Sequence, residues 1–277
     1  MRQPKIYISL PSNGAYWPEG SIDYPENGQL AVFSMTAKDE LMFKTPDALL
    51  NGQAVVDVIQ SCVPAIKNAW DTPNVDVDTL LIAIRLATYG EMMDITHRVP
   101  NTDEDVTHQI DLRILLDELG SSAPWQEAVQ INDMLTCFIR PLTYKHLTNT
   151  SLKTFETQRL LQAAAANDLS EEQKMEIYNQ SLNSMSNITL DLVVDSIKAI
   201  EIPSTVVKDR EFIREFLDNA DKDVYQKIQE HIAKMREANT LKPVTVNSTD
   251  EQIEEGAPVS YLLPITMDNS DFFGQRS

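Results

Sequence analysis

The chain has 277 residues, with 42 Asp or Glu against 23 Lys or Arg, for a formal net charge of −19. That sign opposes docking on phosphate backbones and anionic lipid, which need basic patches, so nucleic acid and membrane are not expected partners and basic proteins are. Two cysteines, Cys62 and Cys137, make no disulfide framework and cannot complete a four-thiolate zinc site, which points to a reducing cytoplasmic compartment.

The first 20 residues lack a basic start followed by an apolar run, so no leader is expected. No stretch approaches the ~20 apolar residues of a membrane span. Residues 1–32 hold dense turn chemistry, SLPSNGAYWPEGSIDYPENGQ, with no helical period. They read as an extended N-terminal arm whose isolated aromatics Tyr16, Trp17 and Tyr24 are candidates for contacting a partner. Residues 33–90 read as a helical module. Thr45 and Pro46 suit a helix start, and Leu50, Ala54, Val58 and Cys62 recur on one face, with Cys62 a core residue. A second helix is expected from Asp78 as N-cap to Gly90 as its structural stop. Leu80, Leu81, Ile82, Ile84, Leu86 and Ala87 cover nearly all its sides, so it is buried, and Arg85 inside it reads as a structural residue needing a polar partner.

Residues 91–145 change to a period of two and read as a small antiparallel β insert. Met92–Val99 would pair with Asp105–Leu112 across the turn at 100–103, and Leu135–Tyr144, broken by Pro141, would form an edge strand. Residues 146–238 return to helical patterning, opened by the capping-box signature Ser170-Glu-Glu-Gln173. Met175, Tyr178, Leu182, Met185, Leu192 and Ile197 mark apolar faces, and Pro203 ends that helix. A charged helical pair follows, with Phe212, Phe216, Tyr225, Ile228 and Ile232 inward. Residues 239–277 read as a linker, a short strand at 261–266 and a polar tail carrying Phe272 and Phe273, two further partner-contact candidates. The fold class is therefore α+β and mainly α-helical, with a small antiparallel β unit and extended termini.

The search for chemistry finds no carrier. No Gly-x-Ser-x-Gly, phosphate-binding loop, His-Glu-x-x-His or Gly-x-Gly-x-x-Gly occurs. His97 and His108 could face each other across the hairpin, but two imidazoles do not make a metal site without further ligands. No catalytic residue, metal or cofactor is assigned.

The order MTAKDE (35–40), TPDALLNGQAVVDVIQSCV (45–63), DVDTLLIAIRLATYG (76–90) and PITMDNSDFFG (264–274) resembles the baseplate proteins of T-even-type contractile-tailed phages. The resemblance covers residues ~33–120 and the last ~15. Family members carry a Cys-Pro-x-Cys-like knuckle after the Tyr-Gly helix end. Here that place reads His97-Arg-Val-Pro-Asn101, so the β insert resembles a zinc ribbon without its ligands. The resemblance implies a late, non-enzymatic protein of the baseplate hub or of its assembly. Such a protein would lie in the virion tail, in the host cytoplasm during assembly, or both, with other tail proteins as partners. The alternatives are a transient assembly chaperone absent from the virion and a tail-tip hydrolytic component.

Overall fold

The computed structural model describes residues 2–43, 52–166 and 169–265. Thr45, Pro46, Leu50, Phe272 and Phe273 lie outside the described residues.

Alternating apolar residues bring β1 (Ile6–Ile8) antiparallel to β2 (Leu30–Val32), with Ile6 opposite Val32 and Ile8 opposite Leu30. Ile8, Leu10, Leu30 and Val32 are buried in a core shared with α1 (Ala37–Phe43), α2 (Gln53–Cys62) and α3 (Asn74–Tyr89). The segment expected as a free arm is therefore folded onto the helices. Burying one side of two short strands, together with the turns between them, overrides its loop-like composition. A bridge between Ile22 and Ile66 and the bond from Asp23 N to Ala65 O tie the middle of the segment down as well.

On α2, Ala54, Val58 and Cys62 are buried as the periodicity requires, together with Val55, Val56 and Ile59. A 3-10 turn (Ala69–Asp71) leads into α3. This helix starts at Asn74, four residues before the expected N-cap Asp78, because Pro73 presets the helical entry and Asn74 N reaches Leu142 O at 2.8 Å. Leu80, Ile82, Ala83 and Ile84 are fully buried, so the helix is enclosed on nearly all sides. It stops at Gly90, whose φ of 95° suits a residue without Cβ, with Gly90 N bonded to Leu86 O.

The segment 91–145 is not one β insert. β3 (Met92–Arg98) and β4 (Asp105–Asp111) pair in register from Met92–Asp111 to Arg98–Asp105. Leu112, expected to end the strand, instead opens α4 (Leu112–Gly120), capped by the Asp111 carboxylate on Arg113 N. Three apolar residues, Leu112, Leu115 and Leu119, at spacing three and four, return this helix to the first core.

β5 (Ala128–Asn132) and β6 (Leu135–Ile139) belong to a separate four-stranded sheet of order β5-β6-β7-β8. β6 is thus an inner strand and not an edge, since Pro141 falls two residues beyond its end. The two other strands, β7 (Ile197–Ile202) and β8 (Thr205–Val207), come from the region expected to be helical throughout. Two long helices, α5 (Tyr144–Ala166) and α6 (Glu171–Ser196), precede them. Ser170 and Gln173 make the expected reciprocal cap at the start of α6. The helix ends at Ser196, however, where the β-branched run Ile197-Lys-Ala-Ile-Glu-Ile202 favours a strand, and Pro203-Ser204 forms a hairpin turn.

α7 (Arg210–Asp218) and α8 (Lys222–Ala238) close a second core over this sheet, with Ile213, Leu217 and Ile228 buried among Ile131, Cys137, Ile139 and Ile197. Phe212, expected inward, is exposed, because Ile213 and Leu217 take the inner face of α7. Arg210 bonds Asp191 at 3.0 Å and Asp195 at 2.7 Å, and Arg214 also bonds Asp191, which clamps α7 to the end of α6. The expected linker holds β9 (Val244–Asn247) and α9 (Asp250–Glu254), and β9 pairs antiparallel with β10 (Ser260–Leu263). The described chain is α+β and mainly helical, with small antiparallel sheets.

Candidate interaction surfaces

The three N-terminal aromatics are each half-buried against their own chain. Trp17 Nε1 donates to Asp76 Oδ2 at 2.8 Å, and Tyr24 Oη donates to Gly28 O at 3.0 Å. Tyr16 sits with φ 68°, with Glu127 at its hydroxyl, and burial raises its pKa before that charge does. Asp76 organises this region from the first turn of α3. It accepts from Ser12 N at 2.9 Å, Ser12 Oγ at 2.5 Å and Trp17 Nε1. Its carboxyl is pushed up to about 6 by burial, against which the Ser12 and Trp17 donors pull. These contacts clamp the N-terminal segment to the start of α3.

The histidines do meet. His97 and His108 sit diagonally on the inner face of β3–β4 with rings stacked at 5.1 Å between centroids. A third ring joins them, as His97 Nε2 shares a 2.8 Å hydrogen bond with Tyr261 Oη of β10. His97 Nδ1 and His108 Nε2 are buried without a hydrogen-bond partner. Burial, then the His108 charge, holds His97 below its ordinary value of 6.5. Among the described residues no group of three or more His, Cys, Asp or Glu could hold a metal ion. The place of the family knuckle is a hydrogen-bonded turn in which Val99 N bonds Glu104 O at 2.9 Å and Asn101 takes φ 64°. Gln252 Nε2 reaches Glu104 Oε2 at 2.8 Å, so β3–β4 and the β9–α9–β10 unit are latched by polar bonds.

Both thiols are buried, and burial pushes each pKa up to about 11, the wrong direction for a nucleophile. Arg2 reaches over Cys62, with Nη2 3.8 Å from the sulfur. Arg85 is 8% exposed, with its guanidinium 5.3 Å from the ring centroid of Tyr89, and burial lowers its pKa.

Met175, Tyr178 and Leu182, expected to mark apolar faces, lie on α6, which packs on α5. The two helices pack antiparallel through small and polar residues: Thr157, Ala164 and Ser181 are buried, and Thr157 Oγ1 lies 3.3 Å from Ser184 Oγ. Met175, Tyr178 and Leu182, on another side of α6, are 62%, 43% and 63% exposed. The signal was present as a spacing of three and four, but spacing alone does not say which face finds a neighbour. No helix among the described residues is long and apolar enough to cross a membrane.

A family model described as T4 bacteriophage base plate protein matches residues 26–256. No curated protein and no solved structure matches the chain. The matched span runs from just before β2 to just past α9 and so takes in the second hydrophobic core, the helices of the first, the β3–β4 hairpin and the α5–α6 pair. The chain belongs to the T4 bacteriophage base plate protein family.

Proposed function

We propose that this baseplate protein takes part in building the baseplate hub, through protein–protein contacts and without turning over a substrate. The observation that carries the reading is the family match across residues 26–256. The side chains with the best claim to chemistry are otherwise engaged: both cysteines are core thiols held protonated by burial, and His97 is bonded to Tyr261 and stacked on His108. The exposed apolar side chains of α6, by contrast, suit contact with another protein. The partners under this reading are hub or tail-tip components, and the protein works in the tail, or in the host cytoplasm while the tail assembles.

Quantitative peptide mass spectrometry on gradient-purified particles beside infected-cell lysate tests this. Peptides at hub-like stoichiometry in particles make the chain a virion subunit. Abundant peptides in lysate complexes with tail proteins, but none in particles, make it an assembly chaperone. Absence of any association with tail components in either fraction refutes the reading.

A further inference from the structure

Strand β10 ends at Leu263, which stands opposite Val244 at the start of β9. Antiparallel pairing directs the chain beyond Leu263 back along Pro243, Lys242 and Leu241. Those three residues line a cavity of about 520 Å³, whose other wall is the end of α8 at Ala233, Arg236 and Glu237. Leu241 is buried in the first core, and Ile265, the last described residue, packs half-buried against the same core. The segment 266–277 therefore sets out from the side of the molecule that holds this cavity.

What that segment carries fits what the cavity offers. It holds the adjacent pair Phe272-Phe273, preceded by Asp268 and Asp271 and followed by one cation, Arg276. The cavity presents Ala233, Leu241 and Pro243 as apolar wall, and the cations Arg236 and Lys242 against one acid, Glu237. Among the described residues neither cation is paired with a carboxylate, although the chain has a net charge of −19. Two adjacent aromatic side chains have a large apolar surface to remove from water, and two acids beside them suit a rim of unpaired cations. Phe272 lies seven residues past Ile265, a reach of up to about 23 Å at ~3.3 Å per residue. A segment tethered beside the cavity meets it at a roughly millimolar effective concentration, an advantage that neither a second copy nor a separate protein has.

We propose that the cavity between the end of α8 and the start of β9 is a docking site for the chain's own C-terminal segment. Phe272 and Phe273 fill its apolar part, and Asp268 and Asp271 face Arg236 and Lys242. The docked tail ties the β9–β10 unit to α8 and buries the aromatic pair within its own chain. This inference does not rest on the function proposed above.

The test places a photoreactive p-benzoylphenylalanine at position 273 of the full chain and maps the cross-linked peptides by mass spectrometry. An equal mixture of isotopically light and heavy chains separates contacts within a chain from contacts between copies. The expected result is a cross-link from the tail to residues 233–243 of the same chain, with at least a threefold lower yield in the Arg236→Glu/Lys242→Glu variant. A cross-link between light and heavy chains, a cross-link to another surface of the same chain, or none to residues 233–243 overturns the proposal. In parallel, amide hydrogen exchange compares wild type with Phe272→Ser/Phe273→Ser. Loss of the aromatic pair should speed exchange in residues 240–243 at least fivefold and leave α3 and β7 unchanged. Unaltered exchange in residues 240–243 overturns the proposal as well. Should α3 or β7 also change, the cross-link alone decides.

Discussion

Asp76 gives the sharpest test of how this fold is held together. Its carboxyl is enclosed and titrates near 6, against 3.8 for an ordinary aspartate, because burial disfavours the ionised form by more than the Ser12 and Trp17 donors restore. The native state therefore binds the proton more tightly than the unfolded chain. A folded pKa raised above the unfolded one contributes stability that is fully present below pH 3.8 and is lost as pH rises through 6. The gap corresponds to about 3 kcal/mol, at 1.36 kcal/mol for each pKa unit. Asp76→Asn removes the titration. It keeps an oxygen for Ser12 N but turns an amide toward Trp17 Nε1, costing about 1–3 kcal/mol for the orphaned donor. Urea unfolding followed by tryptophan fluorescence, at several pH values from 4 to 7.5, measures both proteins. The other acidic groups titrate in both and cancel in the comparison. The stability of wild type relative to Asp76→Asn should rise by about 2.5 kcal/mol as pH falls from 7.5 to 4, with the remainder gained below pH 4. A difference independent of pH would refute the raised pKa. A difference of the opposite slope would mean that the three donors outweigh burial and hold the carboxylate ionised.

The other predictions concern sites where one contact dominates. Arg85→Leu should be more stable than Arg85→Ala by about 1–3 kcal/mol, because leucine keeps most of the apolar volume at a position that is 8% exposed; equal melting temperatures would contradict the burial. Tyr261→Phe removes the hydroxyl that meets His97 and should raise amide hydrogen exchange across β9 and β10 without altering that of α3. His97 has a depressed pKa, so the neutral ring's contribution to this latch is present above pH 6.5 and lost as pH falls below it; in wild type, exchange in β10 should rise on acidification in that window. Arg210→Ala breaks the bonds to Asp191 and Asp195 and should destabilise the second core by about 0.5–1 kcal/mol by urea unfolding, the worth of ion pairs on a half-exposed arginine, with Lys restoring only part, since an ammonium cannot reproduce the guanidinium fork.

Much of this protein is legible from local pattern. The enclosed α3 and its stop at Gly90, the apolar face of α2, the hairpin at 92–111, the capping box of α6 and the helical pair after Asp209 all follow from side-chain period, caps and turn residues, which act over a few residues and need no knowledge of distant chain. The family also shows in a run of short motifs in fixed order. What local pattern cannot supply is the identity of the neighbour. The N-terminal segment looks like a loose arm until Asp76, more than 50 residues away, collects Ser12 and Trp17. Strand β6 looks like an edge until β7, delivered by the end of α6, pairs along it. Conversely, Met175, Tyr178 and Leu182 mark an apolar face in the sequence, and they stay exposed because α5 takes a different side of their helix. Burial of a face is a property of the pair that makes the contact, so which apolar side chains are spent inside this chain and which are left for a partner was decided only by the tertiary structure.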